Sequence, residues 1–422
     1  MFEKESKNKQ VRRMKNKKEL PKNINQNLKK ANKRRIYLDH AATTFVRPEV
    51  LETMLPFFDR YYANPSSLHT PGLQVKSVIE QARARIARVL CCLPNEIIFT
   101  GGGTESINIA LKGIAFLKRK GHIFTSKIEH LAVLSTCEYL ESIGYHVTYL
   151  DVDEYGTVSP ESVEKAIRPD TILISIMYAN NEIGTIQPIV EIGRVAFKHH
   201  VLFHTDACQA AGVLEMDVHK LNVDLMTING SKIYGPKGVG ILYKRADIKL
   251  EPLLHGGGQE QGFRSGTENV PGIVGITLAL ELAQKERHKE NKRLSQLRDY
   301  LIKEVLQKIP KSFLNGHPID RLPNNANLSF LDVEGESILL YLNEYGIYVS
   351  TGSACSSQQL EISHVLKAIG LNHDAAHGSM RFTLGKKTKK EDLDYVLKIL
   401  PGIIESLRRI SPVKMGMNQI RK

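Results

Sequence analysis

The sequence predicts a three-layer α/β domain built on a mainly parallel sheet, followed by a smaller α+β domain. Three observations predict it. From about residue 96, strand-like and helix-like patterns alternate along the chain. Several of the strand segments are apolar on both faces, as in a parallel sheet covered by helices on each side. A long helical stretch at 272–309 then gives way to a different mixture of strands and helices with longer links.

The elements follow in order. EIIFT (96–100) reads as a strand and SINIALKGIAFLKRKG as the helix after it. HIFTS (122–126) is a strand and HLAVLSTCEYLESIG a helix. HVTYLDV (146–152) is a strand, and SPESVEKAI opens a helix on a capping serine. TILISIMY (171–178) is a continuous apolar strand, IVEIGRVAFKHH a helix and VLFHTDA (201–207) a further strand. DLMTINGSK and VGILYK complete the set. Beyond the bridging helix, ANLSFL (326–331), ESILLYLNEYG, IYVS (347–350), HVLKAIG, SMRFTLG and EDLDYVLKILPGIIESLRRI alternate strand and helix patterns. The expected division is a basic arm at 1–35, a large domain at 36–275 and a linking helix with the small domain at 276–422. Residues 36–50 are expected to pack near the small domain.

Composition narrows the class. Apolar residues make up 42% of the 422, and no run approaches the roughly 18 apolar residues of a membrane span. The net charge of +13 is concentrated in residues 1–35, which hold 14 Lys/Arg against 3 Asp/Glu; the remainder, with 44 against 42, is nearly neutral. An arm so poor in large apolar residues is expected to be disordered. A solvated tail is the plainest reading. A weak electrostatic contact with nucleic acid or an acidic protein is the second. A targeting peptide is the third, and the missing apolar region and the abundance of Lys and Asn speak against it. Five cysteines (Cys91, Cys92, Cys137, Cys208 and Cys355) form no C-x-x-C pair and no zinc spacing. With no secretion signal, they point to free thiols in a reducing compartment, hence the cytoplasm. Cys91, Cys92, Cys137 and Cys208 read as small buried apolar residues. Cys355 differs. It stands in STGSACSS (350–357) among glycine and small hydroxylated residues, the setting of a mobile, wet loop.

Three stretches carry chemistry. TGGGTES (100–106) follows a strand and opens a helix, so free backbone N–H groups and the positive end of the helix dipole meet there. That suits a phosphate, although the stretch is neither a Walker A loop nor a G-x-G-x-x-G. Asp206, in HTDACQA, stands at the carboxyl end of a strand, where open α/β sheets bind ligands. A carboxylate buried there needs a partner such as a protonated ring nitrogen. Lys232, in NGSKIYGPKG, lies in an apolar, turn-rich setting that lowers an amine's pKa and makes it a nucleophile toward carbonyls. A phosphate cradle, a carboxylate for a ring nitrogen and a reactive lysine are together the parts that hold pyridoxal 5'-phosphate. His130, in SKIEHLAV, opens a helix at the same edge, where an imidazole can stack on a ring or move protons.

The chain resembles the cysteine desulfurases, pyridoxal-phosphate enzymes of fold-type I with a large mainly parallel α/β/α domain and a smaller α+β domain. YLDHAATT (37–44), NPSSLH (64–69), FTGGGTESIN (99–108), SKIEHLAV (126–133) and MYANNEIG (177–184) carry the resemblance. It continues in HTDACQ (204–209), SKIYGPKGVG (231–240), HGGGQEQGFRSGT (255–267), STGSACSS and MRFTLG (380–385). It covers about residues 36 to 412, and the loop form is similar to that of the subgroup with the longer catalytic loop.

The resemblance implies roles by position. Lys232 would hold the cofactor as a Schiff base, Asp206 would pair with its ring nitrogen and Gln209 with the ring hydroxyl region. Gly103 and Thr104 would bind the phosphate, with Thr267 reaching it from the other subunit of a homodimer. His130 would stack on the ring. Asn181 and Arg381 would hold the substrate carboxylate, the latter by a two-pronged contact. Cys355 would be the nucleophile that takes sulfur from L-cysteine, leaving L-alanine and a persulfide. An acceptor protein would receive it: first an iron–sulfur scaffold, or else a tRNA-thiolating enzyme or a protein of a thiamine or molybdenum-cofactor pathway. Gly352 and the small residues beside Cys355 would let the loop visit the cofactor and then carry sulfur outward.

The chain departs from the family pattern at Ser231, where His is common, at Asn229, where Ser is usual, and at Gly103, where Ala is common. Ser231 and Asn229 retain hydrogen-bonding groups for the phosphate, and Gly103 is expected to be harmless. A selenocysteine lyase, another fold-type I enzyme, and an idle assembly or RNA-binding factor using the basic arm remain as alternatives.

Overall fold

The computed structural model describes residues 35–351, 362–412 and 414–421. The arm at 1–34 and the Cys355 loop at 352–361 lie outside the described residues. The chain enters through β1 (Ile36–Tyr37), α1 (Pro48–Met54) and α2 (Thr70–Leu90). It then alternates: β2 (Ile97–Thr100), α3 (Gly103–Lys118), β3 (His122–Ser126), α4 (Leu131–Ser142), β4 (His146–Leu150), α5 (Pro160–Ala166), β5 (Thr171–Ser175) and α6 (Ile189–Lys198). β6 (Leu202–Asp206), β7 (Leu225–Asn229) and β8 (Gly240–Lys244) complete a seven-stranded sheet of order β2-β8-β7-β6-β5-β3-β4. β8 pairs antiparallel with both neighbours, and the other pairings are parallel. The expected mainly parallel, doubly covered sheet is what forms.

Alternation along the strands explains the two covering layers. Phe99, Phe124, Ile174 and Met226 belong to one apolar cluster with residues of α2 and α6. Their immediate neighbours Ile98, Ile123, Leu173 and Leu225 belong to another, with residues of α3 and α4. A strand buried on both faces therefore reads as a continuous apolar run.

The long α7 (Val270–Lys308) gives Ile273, Ile276 and Leu280 to the first of these clusters and Leu294, Leu301 and Val305 to a separate one. That separate core gathers residues of β9 (Ser312–Asn315), β10 (Asn325–Phe330), α8 (Gly335–Glu344) and β11 (Ile347–Tyr348). Past α9 (His364–Ala368) and α10 (His373–His377), β12 (Ser379–Thr383) and α11 (Lys390–Ile410) join it. β12, β10 and β9 form an antiparallel sheet, and β1 pairs in parallel with β11. Ile36 and Leu38 are buried in this second core.

Two of the cysteine expectations need correction. Cys137 and Cys208 are buried, but Cys91 is exposed and Cys92 only half-buried. Helix α2 ends at Leu90, and Cys91 caps it in the left-handed conformation at φ 57°, so neither cysteine stands within the helix.

An ion-pair cluster ties the entry segment to both cores. Glu286 on α7 accepts from Arg47 through both carboxylate oxygens, at 2.9 and 3.1 Å, and pairs with Lys386 just beyond β12. The Arg47 hydrogen bond, aided by Lys386, holds the Glu286 carboxyl down at about 2. A depressed folded-state pKa contributes stability above the unfolded carboxylate value of about 4.3 and loses it as pH falls toward 2. Glu286→Gln is expected to lower stability by about 1 kcal/mol near neutrality, allowing for water's screening of a partly exposed pair. In melts run from pH 7 to pH 2, the gap to wild type should close between about pH 4.3 and pH 2; a pH-independent gap would refute the assignment.

Candidate active site

The site forms at the carboxyl ends of β3, β5, β6 and β7 and at the start of α3. Gly102 precedes α3 with φ 152° and ψ −178°, a region that glycine alone enters without strain. This turn aims the first N–H groups of α3 into an open cleft of about 620 Å3 lined by Gly103, Thr104, Asn229, Ser231 and Lys237. The glycine at 103 is not neutral. A Cβ there would come 2.9 Å from Cys208 Sγ and 3.4 Å from Asn229 Cβ, so the smaller residue is what gives Cys208 its space. Ser231 Oγ and its backbone N–H both donate to Asn229 Oδ1 at 3.3 Å. The two residues that depart from the family pattern thus brace each other on the cleft wall.

Asp206 ends β6, buried at 6% exposure, and its Oδ1 accepts from the Cys208 N–H at 2.9 Å. Two residues earlier on the same face, His204 bridges the neighbouring strands. Its Nδ1 meets Ser175 Oγ at 2.9 Å and its Nε2 meets Thr227 Oγ1 at 3.0 Å. Burial pushes this imidazole down to about 4, so it is neutral and serves as a pin for the strand ends beneath Asp206.

Lys232 ends the single turn after β7. Its Nζ donates to the carbonyls of Ala41 at 2.9 Å and Ala42 at 2.6 Å. Gln209 Nε2 donates to the same Ala41 carbonyl at 3.0 Å. Thr44 braces the lysine turn, its Oγ1 donating to Ser231 O at 2.9 Å and accepting from Tyr234 N at 2.8 Å. The entry segment is therefore part of the site.

His130 caps α4, and its Nδ1 accepts from Ala132 N at 3.1 Å. The neutral ring accordingly carries its proton on Nε2. Burial lowers its pKa, opposed by Asp206 and helped by Lys232. Beside it Glu129 is fully buried and accepts from Met177 N and Ser126 Oγ; burial pushes its carboxyl up to about 8. It is therefore protonated at neutral pH.

Arg381 on β12 is buried, donating to the Asn181 carbonyl at 3.1 Å and to Asp39 at 2.8 Å. Its Nε, fully buried, has no partner among the described residues. Asn180 shapes the turn that carries Asn181: its Oδ1 accepts from Glu182 N and Ile183 N, and its Nδ2 donates to Ile128 O.

Of the residues picked out in the sequence, Gly103, Thr104, Asn229 and Ser231 share the cleft, Asp206, His130 and Lys232 cluster beside it, and Gln209 meets Lys232 at Ala41. Asn181 and Arg381 meet each other. Thr267 is exposed and is not among the residues lining this chain's own cleft. Cys355 lies outside the described residues. Sequence reasoning passed over Asp39, the Ala41 and Ala42 carbonyls, Asn180 and Glu129. The YLDHAATT and ANNEIG motifs were the available signals for all but the last of these.

Residues 36–396 match the family described as aminotransferase class-V. The chain is 56% identical over 384 residues to a cysteine desulfurase IscS of Dictyoglomus turgidum, covering 90% of this chain and 98% of that one. It is 56% identical over 380 residues to a cysteine desulfurase IscS of Methanosarcina thermophila, covering 90% and 94%. Among solved structures it is similar to a NifS-like protein, with TM-score 0.83 and 41% identity over 89% of this chain and all of that one. It is also similar to SspA in complex with cysteine, with TM-score 0.74 and 41% identity over 83% and 98%. The chain belongs to the class-V aminotransferase family and, within it, to the pyridoxal-phosphate-dependent cysteine desulfurases.

Proposed function

We propose that the chain's desulfurase activity runs through Lys232, Asp206, His130 and Cys355, with the cleft at the start of α3 holding the cofactor phosphate. The observation that carries this reading is geometric: Asp206 accepts from Cys208 N, the space beside Gly103 at the cleft is taken by Cys208 Sγ, and Lys232 directly follows Ser231 on the cleft wall. The donor set fits the cofactor: helix-start N–H groups, the hydroxyls of Thr104 and Ser231, the Asn229 amide and the Lys237 ammonium suit a phosphate dianion. Asp206, buried at a strand end, suits a protonated ring nitrogen.

Pyridoxal phosphate, when bound, supplies an electron-withdrawing ring that stabilises negative charge next to the substrate amine. The chain supplies the rest. Lys232 would hold the cofactor through its amine and would serve as the base for the proton at the substrate Cα. Asp206 keeps the ring nitrogen protonated. His130, with its proton on Nε2, would lie against the ring and serve further proton transfers. Arg381 and Asn181 orient the substrate carboxylate. Cys355, as thiolate, attacks the substrate sulfur. An S–S bond forms as the C–S bond breaks, the bonding pair goes to Cβ and is protonated there, and alanine leaves with a persulfide on Cys355.

A second copy of the chain completes the cleft by presenting Thr267. The exposed Phe58, Tyr62 and Leu68, at 63%, 77% and 90% exposure, support such an interface. The persulfide passes to an acceptor protein of iron–sulfur or tRNA-thiolation chemistry. The cytoplasm is supported by the absence of disulfides among the described cysteines. No described helix is long and apolar enough to cross a membrane.

The test is incubation of the purified protein with L-cysteine and a thiol reductant, assaying alanine and sulfide together. Equal amounts are expected, and turnover without alanine would overturn the reading. Asp206→Ala is expected to loosen the cofactor and lower turnover about 10²-fold. Cofactor content after dialysis and the rate on reconstitution check it, and wild-type values for both would refute the ring-nitrogen role.

A further inference from the structure

Arg381 is 4% exposed, and a guanidinium so buried requires an anionic partner. Three segments meet on it. Its backbone exchanges hydrogen bonds with Ser350, its NH1 donates to Asn181 O, and its NH2 donates to Asp39 Oδ1 at 2.8 Å. Asp39 lies two residues past the end of β1, and its backbone bridges to Thr383, two residues beyond Arg381. The aspartate is thus fixed by the chain trace and is not a chance surface neighbour.

A second carboxyl also lies in the field of Arg381. Glu182 is fully buried, and burial raises its pKa against the opposing pulls of Ser363, His364 and Arg381. The counterion role rests on geometry: the carboxylate hydrogen-bonded to the guanidinium is that of Asp39, 2.8 Å from NH2. The phenol of Tyr37 reports the same local charges: its pKa is raised by burial and then by Asp39, and lowered by Arg381.

We propose that Asp39 is a positioning residue that sets the strength and selectivity of the substrate-carboxylate clamp, holding the Arg381 guanidinium in place while cancelling most of its charge. This rests on the reading of Arg381 as the partner of the substrate carboxylate. Asp39 engages NH2 and the Asn181 carbonyl engages NH1. A guanidinium has five N–H donors, so donors remain for a second carboxylate. A neutralised clamp attracts simple anions weakly and rewards a ligand that meets the remaining donors with matched geometry.

Two substitutions separate the two halves of this role. Asp39→Asn keeps an oxygen for NH2 to donate to and removes the negative charge. The clamp then carries a net positive charge, and the KM for L-cysteine should fall roughly fivefold and become more sensitive to salt. Asp39→Ala removes both the charge and the anchor, and KM should rise about tenfold as the guanidinium loses its orientation. The experiment measures KM and kcat of both variants and of Arg381→Ala in the holoenzyme, at low and high ionic strength. Opposite movements of KM in the two Asp39 variants support the proposal. A merely structural aspartate would raise KM in both, and an unchanged or raised KM in Asp39→Asn overturns it. An unchanged KM in Arg381→Ala would instead overturn the underlying reading of the clamp.

Discussion

Lys232→Ala is expected to abolish turnover, with sulfide and alanine production falling by about 10³-fold or more, since both covalent attachment and proton transfer at Cα are lost. The absorbance of the lysine–cofactor Schiff base should vanish with it. The loss will be chemical and not a failure to fold. The lysine turn is held without the amine, because Thr44 N and Thr44 Oγ1 both donate to Ser231 O and Tyr234 N donates back to Thr44 Oγ1. Asn229 caps the turn from the other side by accepting from Ser231 N. A melting temperature near that of wild type should therefore accompany the inactive protein. The amine now bonded to the Ala41 and Ala42 carbonyls sits against the entry segment; on its removal Ala41 O keeps the Gln209 amide, and water can satisfy Ala42 O. Activity above a tenth of wild type would refute the assignment.

Cys355→Ser separates binding from sulfur transfer. No part in holding the cofactor or the substrate carboxylate is assigned to Cys355, so the variant should hold cofactor and respond spectrally to L-cysteine. Sulfide release should drop by at least about 10²-fold, because a serine hydroxyl is scarcely ionised at neutral pH and does not replace a thiolate nucleophile. The other thiols do not compensate. Burial pushes the Cys92 and Cys137 thiols up to about 12 and the Cys208 thiol well above its ordinary value, while burial and Asp217 raise that of Cys91. None is a ready thiolate at neutral pH. Undiminished sulfide release from Cys355→Ser would move the nucleophile elsewhere.

Much of this molecule was legible along the chain, for reasons that particular residues make plain. TILIS and LMTIN read as strands because both faces are buried under helices, which writes a continuous apolar run into the sequence. Ser159 announced its helix because a capping hydroxyl is a local device, and it accepts from Ser162 N. Asp206 and Lys232 stood out because a costly carboxylate and a lysine set in turns at strand ends carry their own chemical signature. Other features left no such mark. β1 is two residues long, and its place beside β11 is decided by a partner some three hundred residues away. The reversal of β8 against its two neighbours depends on pairing that an apolar strand does not encode by itself.

The site divides along the same line. The sequence by itself determined most element types and the family, and it singled out the glycine-rich turn at 100–106, Asp206 and Lys232 as candidates. These rest on side-chain identities in short local patterns. Tertiary structure alone decided that the Ala41 and Ala42 carbonyls receive the lysine, that Gly103 yields its space to Cys208, that Glu129 is kept protonated, and that Asp39 pairs with Arg381. It also made Cys91 an exposed helix cap. Backbone carbonyls have no residue code, and the fit at a glycine depends on its neighbours in space. The charge state of a buried acid depends on the water that folding removes. Each is a property of groups far apart in sequence, which only the fold brings within a few ångströms of one another.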